Sequence, residues 1–355
     1  MVSQKICEIG EKRLVAEIIR ILSKDSRLVQ GVGHDSAFLD IDVAQDEVLL
    51  MNTDRSGSNI AYQLGLANGE CVGDFAVSHA VSDIVASGGT PLAVSLAMLM
   101  PKDTEVDFVK EVVSGADKAA RKYGAFIACG DTKHSPKFAI VATAIGKCKK
   151  DQILTRSGAK VGDHVVVSGY LGTMIGGLLA IKNNLDISTS ARTMFEQALI
   201  FQNPPYELGL KISGLKLAGA CTDNSDGLST SIHGLCESSG VGAIIRKHDV
   251  PIHNEVKKIA ERLKVDPFQL ALASGDWQHI YAVPDEHIDA FMQVAKTLSP
   301  SAVAIGRFTR SQDVLLEENG IFNSFKLIEN DRIANNASYL KQLIRPINYS
   351  ESKKI

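Results

Sequence analysis

Four aspartates stand where the apolar pattern of the first half of the chain breaks. They are Asp35 in Gly33-His34-Asp35-Ser36-Ala37, Asp54 after the β-rich run 47–53, Asp83 on an apolar helical stretch, and Asp131 in Cys129-Gly130-Asp131-Thr132. Carboxylates are hard oxygen donors, and Mg2+ takes one or two of them together with substrate phosphates. Several aspartates far apart in sequence are what a Mg–nucleotide site needs. Each one alone reads equally well as a turn or helix-cap residue. On the stretch 74–87, His79 precedes Asp83 by four residues and shares its face, and Ser82-Asp83 leads on to Gly88-Gly89-Thr90-Pro91. An exposed polar helix face would give the same pattern. Glycine pairs recur at Gly31/Gly33, Gly88/Gly89, Gly169/Gly172 and Gly176/Gly177, and backbone N–H groups beside glycine bind phosphate well. Neither a Walker A loop nor a GxGxxG fingerprint is present, since Gly169-Tyr170-Leu171-Gly172 lacks the third glycine. No HExxH and no GxSxG occurs, which removes zinc-protease and α/β-hydrolase chemistry. Trp277, the only tryptophan, could stack on a heterocyclic acceptor or pack in the core.

The elements that must position these residues follow from periodicity. Apolar residues at Leu14, Ile18, Ile21 and Leu22 predict a helix within 5–23. Helical spacing recurs over 74–87 and 104–123, and strands are predicted at 47–53, 91–100, 126–129 and 138–145. The Lys- and Gly-rich segment 146–163 reads as a joint. Beyond it, strands are predicted at 164–168, 242–245, 279–283 and 302–308, and helices at 174–181 and 231–239. Asn203-Pro204-Pro205 opens a further element, because proline is tolerated at helix starts. Glu318-Asn319-Gly320 between two short apolar runs predicts a hairpin. Strands and helices alternate in both halves, which predicts an α/β (α+β) protein of two domains, 1–155 and 156–345, with a tail at 346–355.

Composition narrows the function. Hydrophobic residues make up 45% and charged residues 22%, as in an ordinary folded protein and unlike a disordered one. The net charge of −3 gives no basic footprint for nucleic acid. No apolar run approaches the ~20 residues that span a bilayer, and the charged N-terminal stretch does not read as a signal peptide. Six cysteines without a CxxC pair predict reduced thiols in a cytoplasmic protein rather than a disulfide scaffold or zinc site.

Taken in order, the motifs resemble the superfamily of aminoimidazole ribonucleotide (AIR) synthetase, thiamine-monophosphate kinase, selenophosphate synthetase and the hydrogenase-maturation carbamoyl dehydratase. Gly33-His34-Asp35-Ser36-Ala37 resembles that family's Gly-Asp-Asp-Ala-Ala, and Asn52-Thr53-Asp54 its strand-end Thr-Asp. Val81-Ser82-Asp83-Ile84 with Gly88-Gly89-Thr90-Pro91 resembles its Leu-Ser-Asp-Ile and Met-Gly-Gly-x-Pro. Gly130-Asp131-Thr132 matches its Gly-Asp-Thr, and Arg156-Ser157-Gly158-Ala159 opens the second domain as the family does. Asp223-Asn224-Ser225-Asp226-Gly227-Leu228 resembles its Asp-x-Ser-Asp-Gly-Leu.

The resemblance implies a homodimer whose N-terminal mixed sheets form a shared barrel, with ATP and Mg2+ as cofactors in a cleft between the domains. It implies metal-binding roles for Asp35, Asp54, Asp83, Asp131 and Asp226. Of these, Asp83, Asp131 and Asp226 would be catalytic. Gly33, Asp35, Asp54, Gly130, Thr132, Arg156 and Ser225 would hold the nucleotide. Phosphoryl transfer relies on positioning and charge neutralisation, which suits such a site. The expected function is kinase-like transfer to a small molecule. Amide or carbamoyl activation is the alternative within the family, and a maturation scaffold with a degenerate nucleotide site is the alternative outside catalysis.

Departures bear on the substrate. Cys7 lacks the Gly-rich context of the selenophosphate enzyme, and the C-terminal sequence Glu351-Ser352-Lys353-Lys354-Ile355 lacks the cysteine of the dehydratase. His34 replaces a metal-binding Asp, so either one fewer Mg2+ binds or His34 contacts substrate or phosphate. Ala80 replaces an Asn. Ala273-Ser274-Gly275-Asp276-Trp277-Gln278 stands where the kinase has Gly-Gly-Glu-Asp-Tyr-Glu, which makes Asp276 and Trp277 candidate substrate contacts.

Overall fold

The computed structural model describes residues 4–9, 11–27 and 41–328. The chain divides into two units. One comprises Met1–Val85, Gly89–Asp151 and Ile200–Asn203; the other comprises Ala86–Gly88, Gln152–Leu199 and Pro204–Ile355.

In the first unit, two short N-terminal helices, α1 (Ile6–Ile9) and α2 (Glu11–Ile21), precede β1 (Glu47–Ser56). Then follow α3 (Ile60–Gln63), α4 (Glu70–Ala86), β2 (Thr90–Met100), α5 (Val106–Lys122), β3 (Ile127–His134) and β4 (Ala139–Lys149). The sheet order is β1-β4-β2-β3, antiparallel except for the β2–β3 pair. Strand alternation gives the sheet two faces. Val94, Leu96, Met98 and Met100 of β2 and Ile140, Ala142 and Ala144 of β4 are buried on one. Each such large side chain contributes roughly 1.5–3 kcal/mol by leaving water. On the other face Leu49 and Met51 are 56% and 76% exposed.

Two sequence expectations change here. β1 continues two residues past Asp54, so that carboxylate sits inside a strand and not after it. β3 extends through Gly130-Asp131-Thr132, which the sequence pattern left outside the strand. Both are edge strands; Asp131 is exposed, and Asp54, on the inner face, is met by the Asn52 amide, so polarity ended neither strand.

The second unit has β5 (His164–Val167), β6 (Ala220–Asp223), β7 (Gly242–Arg246), β8 (His279–Val283), β9 (Val303–Thr309), β10 (Val314–Glu318) and β11 (Ile321–Ser324). Their order is β11-β10-β7-β9-β5-β8-β6, with β7–β10 the one parallel pair. Asn319 and Gly320 both have positive φ, at 54° and 80°, as the expected hairpin requires. The helices are α6 (Thr173–Lys182), α7 (Thr189–Ile200), α8 (Tyr206–Gly214), α9 (Leu228–Ser239), α10 (Asn254–Leu263), α11 (Pro267–Ala271) and α12 (Ile288–Leu298). Leu208, Ile212, Tyr281 and Phe291 are core members of this unit.

α4 carries Asp83 and is seated by unusually close backbone contact. A Cβ at Gly73 would lie 1.8 Å from the Val112 carbonyl oxygen of α5, and one at Gly115 would lie 2.0 Å from the Glu70 carbonyl oxygen. In an exposed helix Gly→Ala stabilises by about 1 kcal/mol. Here the obstruction is backbone and cannot swing aside. We therefore expect Gly73→Ala to lower stability by about 1–3 kcal/mol, read as a lower urea midpoint at unchanged slope. A raised midpoint would show that the helices separate easily.

Candidate active site

The burial pattern of β1 turns Leu50, Asn52, Asp54 and Ser56 toward the helix side of the first sheet. Asp54 is held on one carboxylate oxygen and faced by an imidazole on the other. The Asn52 side-chain amide donates to Oδ2 at 2.6 Å, and His79 Nε2 of α4 lies 3.9 Å from Oδ1. The Phe75 ring, one turn earlier on α4, packs against the His79 imidazole with centroids 5.9 Å apart. Asp83 follows one turn later on the same side of the helix and is half-buried. Ser82 beside it is fully buried, and its hydroxyl has no hydrogen-bond partner among the described residues. Asp54 and Asp83 thus share the flank where α4 meets β1.

Asp131 does not join them within one chain. Asp54 pairs in register with Ala142, which pairs with Leu96, which pairs with Gly130. Asp131 pairs with Ala97, then Val141, then Arg55, one row along. The two aspartates therefore lie on opposite faces and opposite edges of the sheet, three strand spacings or roughly 14 Å apart. Asp131 is exposed, and its Oδ1 accepts from the Thr132 backbone N–H at 2.9 Å. Thr132 points to the buried face. Among the described residues no three His, Cys, Asp or Glu side chains come close enough to hold a metal ion. Gly33, His34 and Asp35 lie outside the described residues.

In the second unit the other candidates lie at the two ends of α9. Asp226 is exposed and Ser225 half-buried, just before the helix begins. Asn224 is fully buried, and its Oδ1 accepts from Ser231 Oγ at 3.1 Å, which ties the loop to the helix. At the far end, Ser239 Oγ accepts from the N–H groups of Gly158 and Ala159 and donates to the Arg156 carbonyl, each at 3.1 Å. Arg156 itself is exposed. The Arg156 backbone and Asp226 are thus separated by the length of α9, roughly 18 Å for its 12 residues.

Asp276 and Trp277 were expected on substrate, and the fold employs them differently. Asp276 is buried, and its oxygens accept from the backbone N–H groups of Gly172 at 2.6 Å and Met174 at 3.0 Å. It caps α6, whose start at Gly172 has a left-handed φ of 80°. The Gly172 N–H that might have bound phosphate is therefore already taken. Trp277 is 4% exposed, in keeping with core packing. The sequence reading missed Asn52 as a neighbour of Asp54. The signal was present, since residues two apart on a strand share a face.

Comparisons with known proteins agree with this architecture. Residues 33–148 match the model for the AIR synthase related protein N-terminal domain, and residues 160–317 match its C-terminal domain. A thiamine-monophosphate kinase of Pyrococcus horikoshii is 33% identical over 62% of this chain and 67% of that protein. The thiamine-monophosphate kinase of Aquifex aeolicus is 29% identical over 88% of this chain and 96% of its own length. A structure described as AaThiL complexed with AMPPCP and TMP superposes with a TM-score of 0.67 at 27% identity, covering 90% of this chain and 97% of that one. The hydrogenase maturation protein HypE in complex with ATP shares the fold, with a TM-score of 0.74 at 22% identity over 90% and 96% of the two chains.

Two buried groups of the second unit give stability opposite pH dependences. Burial pushes Asp276 up to about 6, against the N–H groups that favour its charge. The folded chain then keeps a proton that the unfolded chain releases near 3.8. That contribution is complete below about pH 4 and is lost as pH rises through 6, a change of roughly 3 kcal/mol. Burial pushes His279 down to about 3, so its contribution is present above about pH 6.5 and is lost as pH falls toward 3. We expect the stability gap between wild type and Asp276→Asn to be widest near pH 4 and to narrow by pH 6.5. The gap to His279→Gln should be widest near pH 7 and narrow on acidification. Urea midpoints measured across this range check both, and parallel curves would refute the assignments.

Proposed function

The chain belongs to the AIR synthase-related family, and from that premise we propose an ATP- and Mg2+-dependent kinase that passes the γ-phosphoryl group of ATP to a small-molecule acceptor. One observation carries the reading: a clamped carboxylate, Asp54, shares a flank with Asp83 in a fold whose relatives include one solved with AMPPCP and TMP. The donor set fits Mg2+, which needs one or two carboxylates and completes its shell with phosphate oxygens and water. Asp54 and Asp83 would hold it, with Asp35 as a third candidate. Bound there, Mg2+ would neutralise charge on the β- and γ-phosphates. Asp226, Ser225 and Arg156 are the second unit's own candidates for nucleotide contact. Thiamine monophosphate is the first acceptor to test, because the Aquifex aeolicus relative matched over 88% of this chain is a thiamine-monophosphate kinase. The net charge of −3 favours a small molecule over nucleic acid. We assign the enzyme to the cytoplasm; Cys71, Cys129, Cys148, Cys221 and Cys236 are free. Among the described residues no helix is long and apolar enough to cross a membrane.

We further propose a homodimer built on the uncovered face of the first sheet. Leu49 and Met51 project from that face, and burying them against a second copy would remove apolar surface from water. Asp131 lies on the same face. Within one chain Asp131 points away from Asp54, so in this dimer it would face the partner subunit. Amide or carbamoyl activation is the second reading, favoured by a putative hydrogenase expression/formation protein of Methanocaldococcus jannaschii, 25% identical over 70% of this chain. A dehydrated or cyclised product in place of a stable phosphoester would select it.

We expect Asp83→Asn and Asp131→Asn each to lower ADP release with Mg2+ and acceptor by ~100-fold or more. MgATP binding by both variants as tight as that of wild type would remove the site assignment.

A further inference from the structure

Asn52 has no role in the site as read so far, yet it makes the shortest side-chain contact that Asp54 has. Its amide nitrogen lies 2.6 Å from Asp54 Oδ2 and 3.5 Å from the Ala80 carbonyl oxygen of α4. Ala80 is fully buried and offers only a methyl group at that point, which leaves room for a carboxamide to enter from the strand. The same amide thus faces the strand carboxylate and the helix backbone together. On the other side, His79 Nε2 faces Oδ1 at 3.9 Å. Asn52 and Asp54 stand two residues apart on one strand face, in a ladder whose register with β4 is unbroken from Glu47 to Ser56. Their separation is therefore set by the backbone and not by chance rotamers.

We infer that Asn52 is a positioning residue for Asp54: its amide, anchored toward α4, fixes the carboxylate so that Oδ1 is the oxygen offered to a metal–nucleotide. The inference rests on the reading of Asp54 as a metal-holding group. An acidic side chain that rotates freely loses entropy on binding; one already held by a neighbouring donor has lost it on folding. Partners of this kind typically change metal affinity by about 10–100-fold when removed. Asn52 touches neither metal nor nucleotide in this assignment, so its effect is confined to the metal.

The test measures Mn2+ uptake by electron paramagnetic resonance, with the non-hydrolysable analogue AMPPCP present and absent, on the full-length protein. Asn52→Leu keeps the size and removes the donor; Asn52→Ala is the second variant should the first fold poorly. We expect about 10–100-fold weaker Mn2+ binding in the presence of AMPPCP. Metal-free AMPPCP binding and thermal midpoint should stay at the wild-type values. A steady-state readout should show a higher Mg2+ requirement with kcat recovered at saturating Mg2+. Wild-type Mn2+ affinity in Asn52→Leu would overturn the positioning role while leaving the metal site intact. If the wild type takes up no Mn2+ with AMPPCP, the metal reading falls and the positioning role falls with it.

Discussion

The arrangement of the first unit depends on how closely α4 sits in its seat. At Gly73 and Gly115 the backbone of one helix occupies the space where a side chain on the other would begin. Ala76, Val77, Ala80, Val81 and Ile84 are all nearly inaccessible to water. Dispersion falls steeply with even a small gap, so a helix packed this way has one position. Its polar residues inherit that precision. His79 reaches the level of Asp54, and Ala80 leaves its carbonyl open to Asn52, only because the helix cannot slide along the sheet. The chemistry proposed for the flank is thus a consequence of packing in which no polar side chain takes part.

The two-domain α/β plan, most strands and the hairpin at Asn319-Gly320 were legible in the sequence, because their signals are local. The limits of β1 and β3 were not. Asp54 and Asp131 look like strand terminators, but Asp131 is exposed and Asp54 is met by the Asn52 amide, so the ladder runs past both. β6 (Ala220–Asp223) was missed because four buried residues carry no alternation. α10 and α12 are amphipathic, but they sit in the second half, where turn and strand signals drew the reading. Their burial is supplied by partners distant in sequence.

The candidate site was half legible for a related reason. Residue type identifies what a side chain could bind, but not whether the fold has already bound it. Gly172 and Asp276 each look like ligand residues, and they satisfy one another. Folding a helix start into the interior leaves N–H groups that must find an acceptor, and a buried carboxylate must find donors. These two deficits are 104 residues apart in sequence, and only tertiary structure reveals that they cancel. Asp54 differs. Its partners leave lone pairs on both oxygens unused, and the residue stays half-buried at the sheet edge, where a ligand could reach it.

Strand β1 also ties the site to the proposed self-association. Its even-numbered residues, Leu50 to Ser56, face the helices, and its odd-numbered ones, Leu49 to Arg55, face outward. A slip of one residue would exchange the two sets, turning Asp54 outward and Met51 inward. Three features oppose that slip: the continuous pairing from Glu47–Lys149 to Ser56–Ile140, the Thr53–Thr143 hydroxyl contact at 2.9 Å, and the Lys147–Glu47 ion pair at 3.1 Å. An exposed pair of that kind adds little energy, but register needs only a difference between alternatives. The ladder that aims Asp54 at α4 therefore also presents Leu49 and Met51 on the outward face, where the proposed second copy would bind. A change that disturbed one of these two surfaces would disturb the other, because both are read from one strand with a period of two.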